Sequence, residues 1–287
     1  MHPLRIGQTF AAEVRAVDLR TAPDAALVEA IEAALAEHGV LVFRDQALTD
    51  AQQAAFIACF GPPPQASMIN SLKEGAARSP YFFDVATVNN DGSPIDPDGP
   101  YGLYMRANLM WHTDGSQVQP PIRLTALSAR QLPTHPPATE YADLRAAWEA
   151  LDPATRARID GLSAVHDIFH SRGKMGLKRS DFSPEILAAR PPVVHPLVRT
   201  QPRTGRKALY LASHASHIVG LPEAEGRDLI GQLTAHATQP QFVYAHAWRP
   251  HDLVMWDDRW TMHRSTPYSG SEPRVLRWSG VLEREPV

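Results

Sequence analysis

The sequence has almost no cysteine, no long apolar run and no block of like charge. A single cysteine, Cys59, in 287 residues excludes an intrachain disulfide and suits a reducing cytoplasm, the expected location. Cys59 itself is expected to be a small buried apolar residue. No apolar stretch approaches the roughly 20 residues that span a bilayer. The opening "MHPLRIGQTF" lacks the charged-then-apolar order of an export signal. A net charge of −3 without a basic cluster leaves no electrostatic footprint for nucleic acid or an anionic membrane, so neither is an expected partner. No strand, glycine-rich loop and helix follow one another, which removes a phosphate-loop nucleotide site. The glycines near 270 mark a turn.

What is present is an ample core and a patchwork of short elements. Apolar residues make up 44% of the chain, and one domain over 1–287 is expected. "AALVEAIEAALAEHGV" reads as a helix, with Leu27, Ile31 and Leu35 at helical spacing and Gly39 as its stop. "VLVFRD" follows as a buried strand. "TDAQQAAFIACFG" is a second helix, capped by Thr49 or Asp50 and ended by Gly61. Residues 62–106 are rich in Pro, Gly, Asn and Asp, and are expected to form a mobile loop region at the active site. "PIRLTALSARQL" reads as a strand. "YADLRAAWEALDPATRARIDGL" reads as two short helices divided at Asp152–Pro153. "VVHPLVRT" and "KALYLASH" are strands joined by a turn, "EAEGRDLIGQLTAHAT" is a helix, and "QFVYAHAW", "DLVMWDD" and "RVLRWSGVLE" are strands. The order predicts a mainly β core with flanking helices and no regular βαβ alternation.

The chemistry-bearing candidates are few. Of 13 histidines only His112, in "MWHTDGSQ", has an acidic residue two positions on. Side chains two apart on a strand point the same way, so His112 and Asp114 could share a metal. An ordinary polar turn is the competing reading. Iron(II) oxygenases hold the metal with two His and one carboxylate on one face. Near the C-terminus, "WDDRWTMHRSTPYSGSEPRVLRWSG" supplies His263 and, eleven residues later, Arg274. An arginine suits the distal carboxylate of a 2-oxo acid, because its planar fork binds a carboxylate bidentately. Fe(II), two neutral His, Asp114, dianionic 2-oxoglutarate and Arg274 sum to zero charge, as a buried site requires.

His112-x-Asp114, His263 and Arg274 together resemble the TauD/TfdA family of Fe(II)/2-oxoglutarate-dependent dioxygenases. The resemblance covers almost the whole chain, through "AAEVRAVDLR", "GVLVFRDQALTDAQQAAFIACFG", "NLMWHTDGS", "ATEYADLRAAWEAL", "HPLVRTQPRTGRKALYLASHASHIVGLP" and "DLVMWDDRWTMHR". It implies a distorted double-stranded β-helix, or jelly roll. It implies iron ligation by His112, Asp114 and His263, and co-substrate binding by Arg274, Thr139 and Asn108. Thr139 stands in "HPPATEYAD", where prolines replace the family's glycine pair and Tyr141 its Phe. The implied reaction is hydroxylation of a small organic acid with O2, releasing succinate and CO2. An aryloxyalkanoate-like substrate is expected, a sulfonate or alkyl sulfate being the alternative. A zinc hydrolase and a non-catalytic scaffold are the rival classes. A homo-oligomer is expected.

One departure stands out. Family members that bind sulfonates or phenoxyacetates place an Arg fifteen residues after the distal His; here that residue is Trp278. Arg277 would face the other side of its strand. Arg106 is the expected replacement anchor, with His217 and Trp278 as further substrate contacts. Asp257 and Asp258 are expected to orient the strand bearing His263, and Trp111 to be a core aromatic shielding the metal. His166 and His170 are expected on a strand running into a loop, unable to ligate jointly. His214 and His217 read as packed histidines or pocket residues.

Overall fold

Two β-sheets face each other, and the residues of interest line the space between them. The computed structural model describes residues 1–64 and 82–284. Its strands in chain order are β1 (His2–Arg5), β2 (Ala12–Arg15), β3 (Val40–Phe43), β4 (Phe83–Ala86), β5 (Ile122–Gln131), β6 (Thr139–Asp143), β7 (Ser163–His166), β8 (Val193–Pro196), β9 (Val198–Thr200), β10 (Lys207–Leu209), β11 (Ala215–Ile218), β12 (Val243–His246), β13 (Leu253–Asp257), β14 (Thr261–Ser265) and β15 (Val275–Leu282). The larger sheet runs β1-β2-β3-β13-β5-β15-β4 and the smaller β12-β6-β14. Strands remote in sequence lie side by side, so both ends of the chain are built into one sheet.

β13 shows why this region is continuously apolar. Leu253 and Met255 join the cluster under the first two helices. Val254 and Trp256 join the cluster between the sheets. Both faces are covered, so neither can be polar. The helix Ala25–His38 is capped by Asp24, which accepts from Leu27 N, and ends at Gly39 with φ +69°. The helix Asp50–Ala58 carries a Thr49–Gln52 capping box. Both lay their apolar faces on the large sheet, through Ile31, Leu35 and Phe56. A second layer of helices, Leu144–Glu149 and Glu223–Ala237, covers Trp260, Met262 and the β9–β10 hairpin.

Four expectations change. Tyr141–Asp143 belong to β6, not to a helix, because their backbone pairs with both β12 and β14; the helix starts at Leu144 with Asp143 as its cap. Cys59 is exposed, not buried: the helix closes at Ala58, and Cys59 falls on its solvent side. His170 lies on the helix Ile168–Gly173 instead of in a loop. Within the expected loop region, 65–81 lie outside the described residues, while 82–107 carry β4 and the helix Pro100–Ala107. No helix among the described residues is long and apolar enough to cross a membrane.

Asp143 and Arg145 fasten β6 to the helix Ala25–His38. Their side chains are 2% and 0% exposed. Arg145 donates through Nε (2.8 Å) and Nη2 (3.2 Å) to the Asp143 carboxylate, and through Nη1 to the Ala36 carbonyl at 2.7 Å. Removing one partner strands the other charge in the interior, which costs roughly 3–5 kcal/mol. Asp143→Ala should therefore lose about that much in urea unfolding, with the transition midpoint moving and the slope unchanged.

Candidate metal and co-substrate site

The two histidines meet because their backbones pair. His112 N donates to His263 O at 3.0 Å, and His263 N to His112 O at 2.8 Å. Ser265 N donates to Asn108 O at 2.8 Å, which extends the seam along β14. His112 Nδ1 lies 2.7 Å from the Met110 carbonyl oxygen, which can only accept, so Nδ1 is the donor and Nε2 is the nitrogen turned toward Asp114. Burial pushes His263 down to about 3, so its ring is neutral. Asp114 Oδ1 lies 3.7 Å from His112 Nε2 and 3.8 Å from His263 Nε2. One atom from each residue falls within 4.8 Å of the others. Two imidazole nitrogens and one carboxylate oxygen on one face are a donor set that fits Fe(II).

The intervening Thr113 points the other way and donates to Leu211 O at 2.8 Å. That alternation is what puts His112 and Asp114 on the same side. The chain then turns sharply. Gly115 has φ +64°, and a Cβ there would come 2.5 Å from Ile122 Cγ1, so only glycine fits. Asp114 is held from three directions. Its backbone N donates to Asp258 Oδ1 at 3.0 Å. Its Oδ2 accepts from Thr125 Oγ1 at 3.2 Å and from Trp278 Nε1 at 2.9 Å. Asp258 also lies within hydrogen-bond reach of Thr125 Oγ1 and accepts from Trp256 Nε1; these contacts hold the Asp114 loop, whereas the expected task was to orient the strand bearing His263. Asp257 pairs with Arg259.

A cavity of about 430 Å³ opens between the sheets beside this triad. Arg274, Leu276 and Trp278 all line it, because residues two apart along β15 and the extended residue leading into it share a face. Arg277 points outward to Asp50 and Asp84, as expected. Arg274 is 4% exposed. Its Nε has no hydrogen-bond partner, and no carboxylate among the described residues pairs with it. Burial lowers its pKa to about 10, so it stays charged at neutral pH. Thr139 Oγ1 accepts from Trp248 Nε1 at 3.0 Å. An indole can only donate, so the Thr139 proton is left for another acceptor. Asn108 lines this cavity too.

A larger cavity of about 940 Å³ adjoins the first and shares Phe83, Asn108, His112, Asp114 and Trp278 with it. Its other walls include Ile122, Ile168, His214, Arg172 and Arg190. His214 is buried and bonded to Ser171 Oγ, and burial keeps it neutral.

Three sequence candidates fall elsewhere. Arg106 is exposed and donates to Pro97 O and Asp98 Oδ1, both at 3.0 Å; it lines neither cavity, because its helix turns it outward. His217 hydrogen-bonds Ser216 and also lines neither. Trp111 packs against the helical layer under the Arg264 guanidinium, away from the cavities. Sequence reasoning missed Arg172 and Arg190, which no motif marks, and it missed the Trp278–Asp114 hydrogen bond. A signal for the last existed: Trp278 is in step with Arg274, so both had to face the same space.

The chain matches the family described as taurine catabolism dioxygenase TauD, TfdA family, over residues 3–278. It is 40% identical over 283 residues to an alpha-ketoglutarate-dependent 2,4-dichlorophenoxyacetate dioxygenase of Cupriavidus pinatubonensis, covering 99% of this chain and 96% of that one. It is 35% identical over 285 residues to an (S)-phenoxypropionate/alpha-ketoglutarate-dioxygenase of Sphingobium herbicidovorans, covering 97% and 93%. Among solved structures, AAD-2 in complex with Mn(II) and N-oxalylglycine superimposes with a TM-score of 0.90 at 38% identity, covering 99% of this chain and 98% of that one. With that, the jelly-roll expectation, the metal-ligand spacing and the buried arginine agree: the chain belongs to the TauD/TfdA family of dioxygenases.

Proposed function

We propose that the protein is an Fe(II)- and 2-oxoglutarate-dependent dioxygenase that hydroxylates an aryloxyalkanoate-like organic acid. The observation that carries the reading is Arg274. A guanidinium 4% exposed and without a carboxylate partner among the described residues calls for an anion in the cavity it shares with His112, Asp114 and His263. Thr139, its hydroxyl proton unspent, lies in the same cavity. A zinc hydrolase would leave both without a task.

His112, Asp114 and His263 are the residues that would hold the iron. Bound there, it supplies the oxygen chemistry that couples decarboxylation of 2-oxoglutarate to succinate and CO2 with hydroxylation of the substrate. The protein's own residues do the positioning. Arg274 takes the distal carboxylate of 2-oxoglutarate, and Thr139 donates to it. Phe83, Leu127, Leu276 and Trp278 exclude water and strengthen those contacts. In the larger cavity, Phe83, Ile122, Ile168 and Trp278 suit an aromatic ring. Arg172 and Arg190 take over the anchoring task assigned above to Arg106, which lies outside the cavity. Two of the relatives named above are, by name, dioxygenases of 2,4-dichlorophenoxyacetate and (S)-phenoxypropionate. Hydroxylation beside an ether oxygen would collapse to a phenol and an aldehyde-type acid.

Anaerobic Fe(II) and 2-oxoglutarate should produce a visible metal-to-ligand charge-transfer band. His112→Ala, Asp114→Ala and His263→Ala should each abolish it while the chain stays folded. A band that survives in any of the three would remove that residue from the ligand set.

Arg274→Ala should raise the 2-oxoglutarate requirement by roughly a hundredfold or more, the counterpart of 3–5 kcal/mol for an unpaired buried charge. Thr139→Val should cost about 1 kcal/mol, one neutral donor. Titration of the charge-transfer band measures both. A larger effect at Thr139 than at Arg274 would reverse their roles.

Succinate release should be faster with aryloxyalkanoates than with taurine, a small zwitterion that gains little from an apolar wall. Arg190→Ala should raise the KM for the aryloxy acid and leave that for 2-oxoglutarate unchanged. Efficient taurine turnover would overturn the substrate class.

A further inference from the structure

We propose that Trp278 is a positioning residue for the metal: its indole N–H fixes the Asp114 carboxylate so that one oxygen alone faces the histidines. The inference rests on the reading of His112, Asp114 and His263 as the metal ligands. Asp114 has two oxygens with different surroundings. Oδ1 lies 3.7 and 3.8 Å from the two Nε2 atoms. Oδ2 receives Trp278 Nε1 at 2.9 Å and Thr125 Oγ1 at 3.2 Å. Thr125 Oγ1 is also 2.7 Å from Asp258 Oδ2. A hydroxyl has one proton to give, and the partly buried Asp114 and the buried Asp258 both lie within its reach. Among the described residues the indole proton has no second acceptor, so it is the dependable tie on Oδ2.

The pose of this indole is built into the sheet. Trp278 pairs in register with Phe83 across the β15–β4 ladder. Their rings stack with centroids 4.6 Å apart and planes 21° from parallel. Two residues on, Gly280 leaves the space the indole occupies; a Cβ there would stand 2.6 Å from Trp278 Cη2. Phe83 on one side and Gly280 on the other leave the ring one orientation, and that orientation aims Nε1 at Asp114. Trp278 is 4% exposed, so the hydrogen bond meets little competition from water. Outer contacts of this kind orient a metal ligand and tune its affinity.

The test is Mn(II) affinity, read as free Mn(II) by electron paramagnetic resonance, without 2-oxoglutarate or turnover. Trp278→Phe keeps a stacking ring and removes the N–H. Benzothienylalanine at 278 keeps the indole shape and replaces N–H with sulfur, so it settles the question should the Phe variant fail to fold. Both should bind Mn(II) about tenfold more weakly than the unmodified protein, and Asp114→Ala should bind none. Mn(II) affinity of the benzothienylalanine protein within about twofold of the unmodified one would overturn the proposal and leave the metal site standing. Failure of the unmodified protein to bind Mn(II) would overturn the metal reading itself, and the proposal with it.

Discussion

The site depends on two backbone hydrogen bonds. His112 and His263 are 151 positions apart (263 − 112), and each donates its N–H to the other's carbonyl. That reciprocal pair brings the ring centroids within 4.2 Å. It also fixes which side of the 108–114 segment faces β14. A one-residue slip would turn Thr113 inward and send both His112 and Asp114 away. Thr113 resists the slip, because its hydroxyl is committed to Leu211 O on the far side. Gly115 ends the segment where a side chain would collide with Ile122.

Around this seam the structure gathers a partly buried and a buried carboxyl group with the donors that make them tolerable. Asp114 and Asp258 sit side by side. Burial and the Asp114 charge push Asp258 well above the usual carboxylate range. The Asp114 backbone N–H, the Thr125 hydroxyl and the Trp256 indole all point at Asp258. Removal of any one leaves a buried acceptor short of a partner. The arrangement holds the loop in place without a cation. Cations line the cavities instead, Arg274 the smaller and Arg172 and Arg190 the larger.

Much of this was legible in the sequence, and the reasons differ by residue. His112-x-Asp114 and His263 could be singled out because metal ligation demands particular side chains, and few histidines meet the spacing. Arg274 stood out by its place eleven residues after His263 and by the fit of a guanidinium to a carboxylate, and the charge balance agreed with it. The first two helices announced themselves through apolar spacing and caps. Tyr141–Asp143 misled because their strand state comes from pairing with β12 and β14, which no local propensity records. Cys59 misled because small apolar character does not say which side of a helix end faces water. Arg106 was close in sequence to His112 but not in space: the helix Pro100–Ala107 turns it toward Asp98. Arg172 and Arg190 were invisible, since solvated arginines have the same local appearance as pocket arginines.

The two cavities share a wall and divide the cations. Phe83, Asn108, His112, Asp114 and Trp278 line both; Arg274 lines only the smaller, Arg172 and Arg190 only the larger. A reaction that joins two acids at one metal must keep them from exchanging places. An arginine at the shared wall would attract either anion. Trp278 stands in that wall and attracts neither, since its N–H is already given to Asp114. On the function proposed above, each anion would be drawn toward the cation of its own cavity, with His112 and Asp114 at the junction. With Trp278 in the shared wall, the cations lie at the far sides of the two cavities, and the middle is left to aromatic contact and to the His112, Asp114 and His263 cluster.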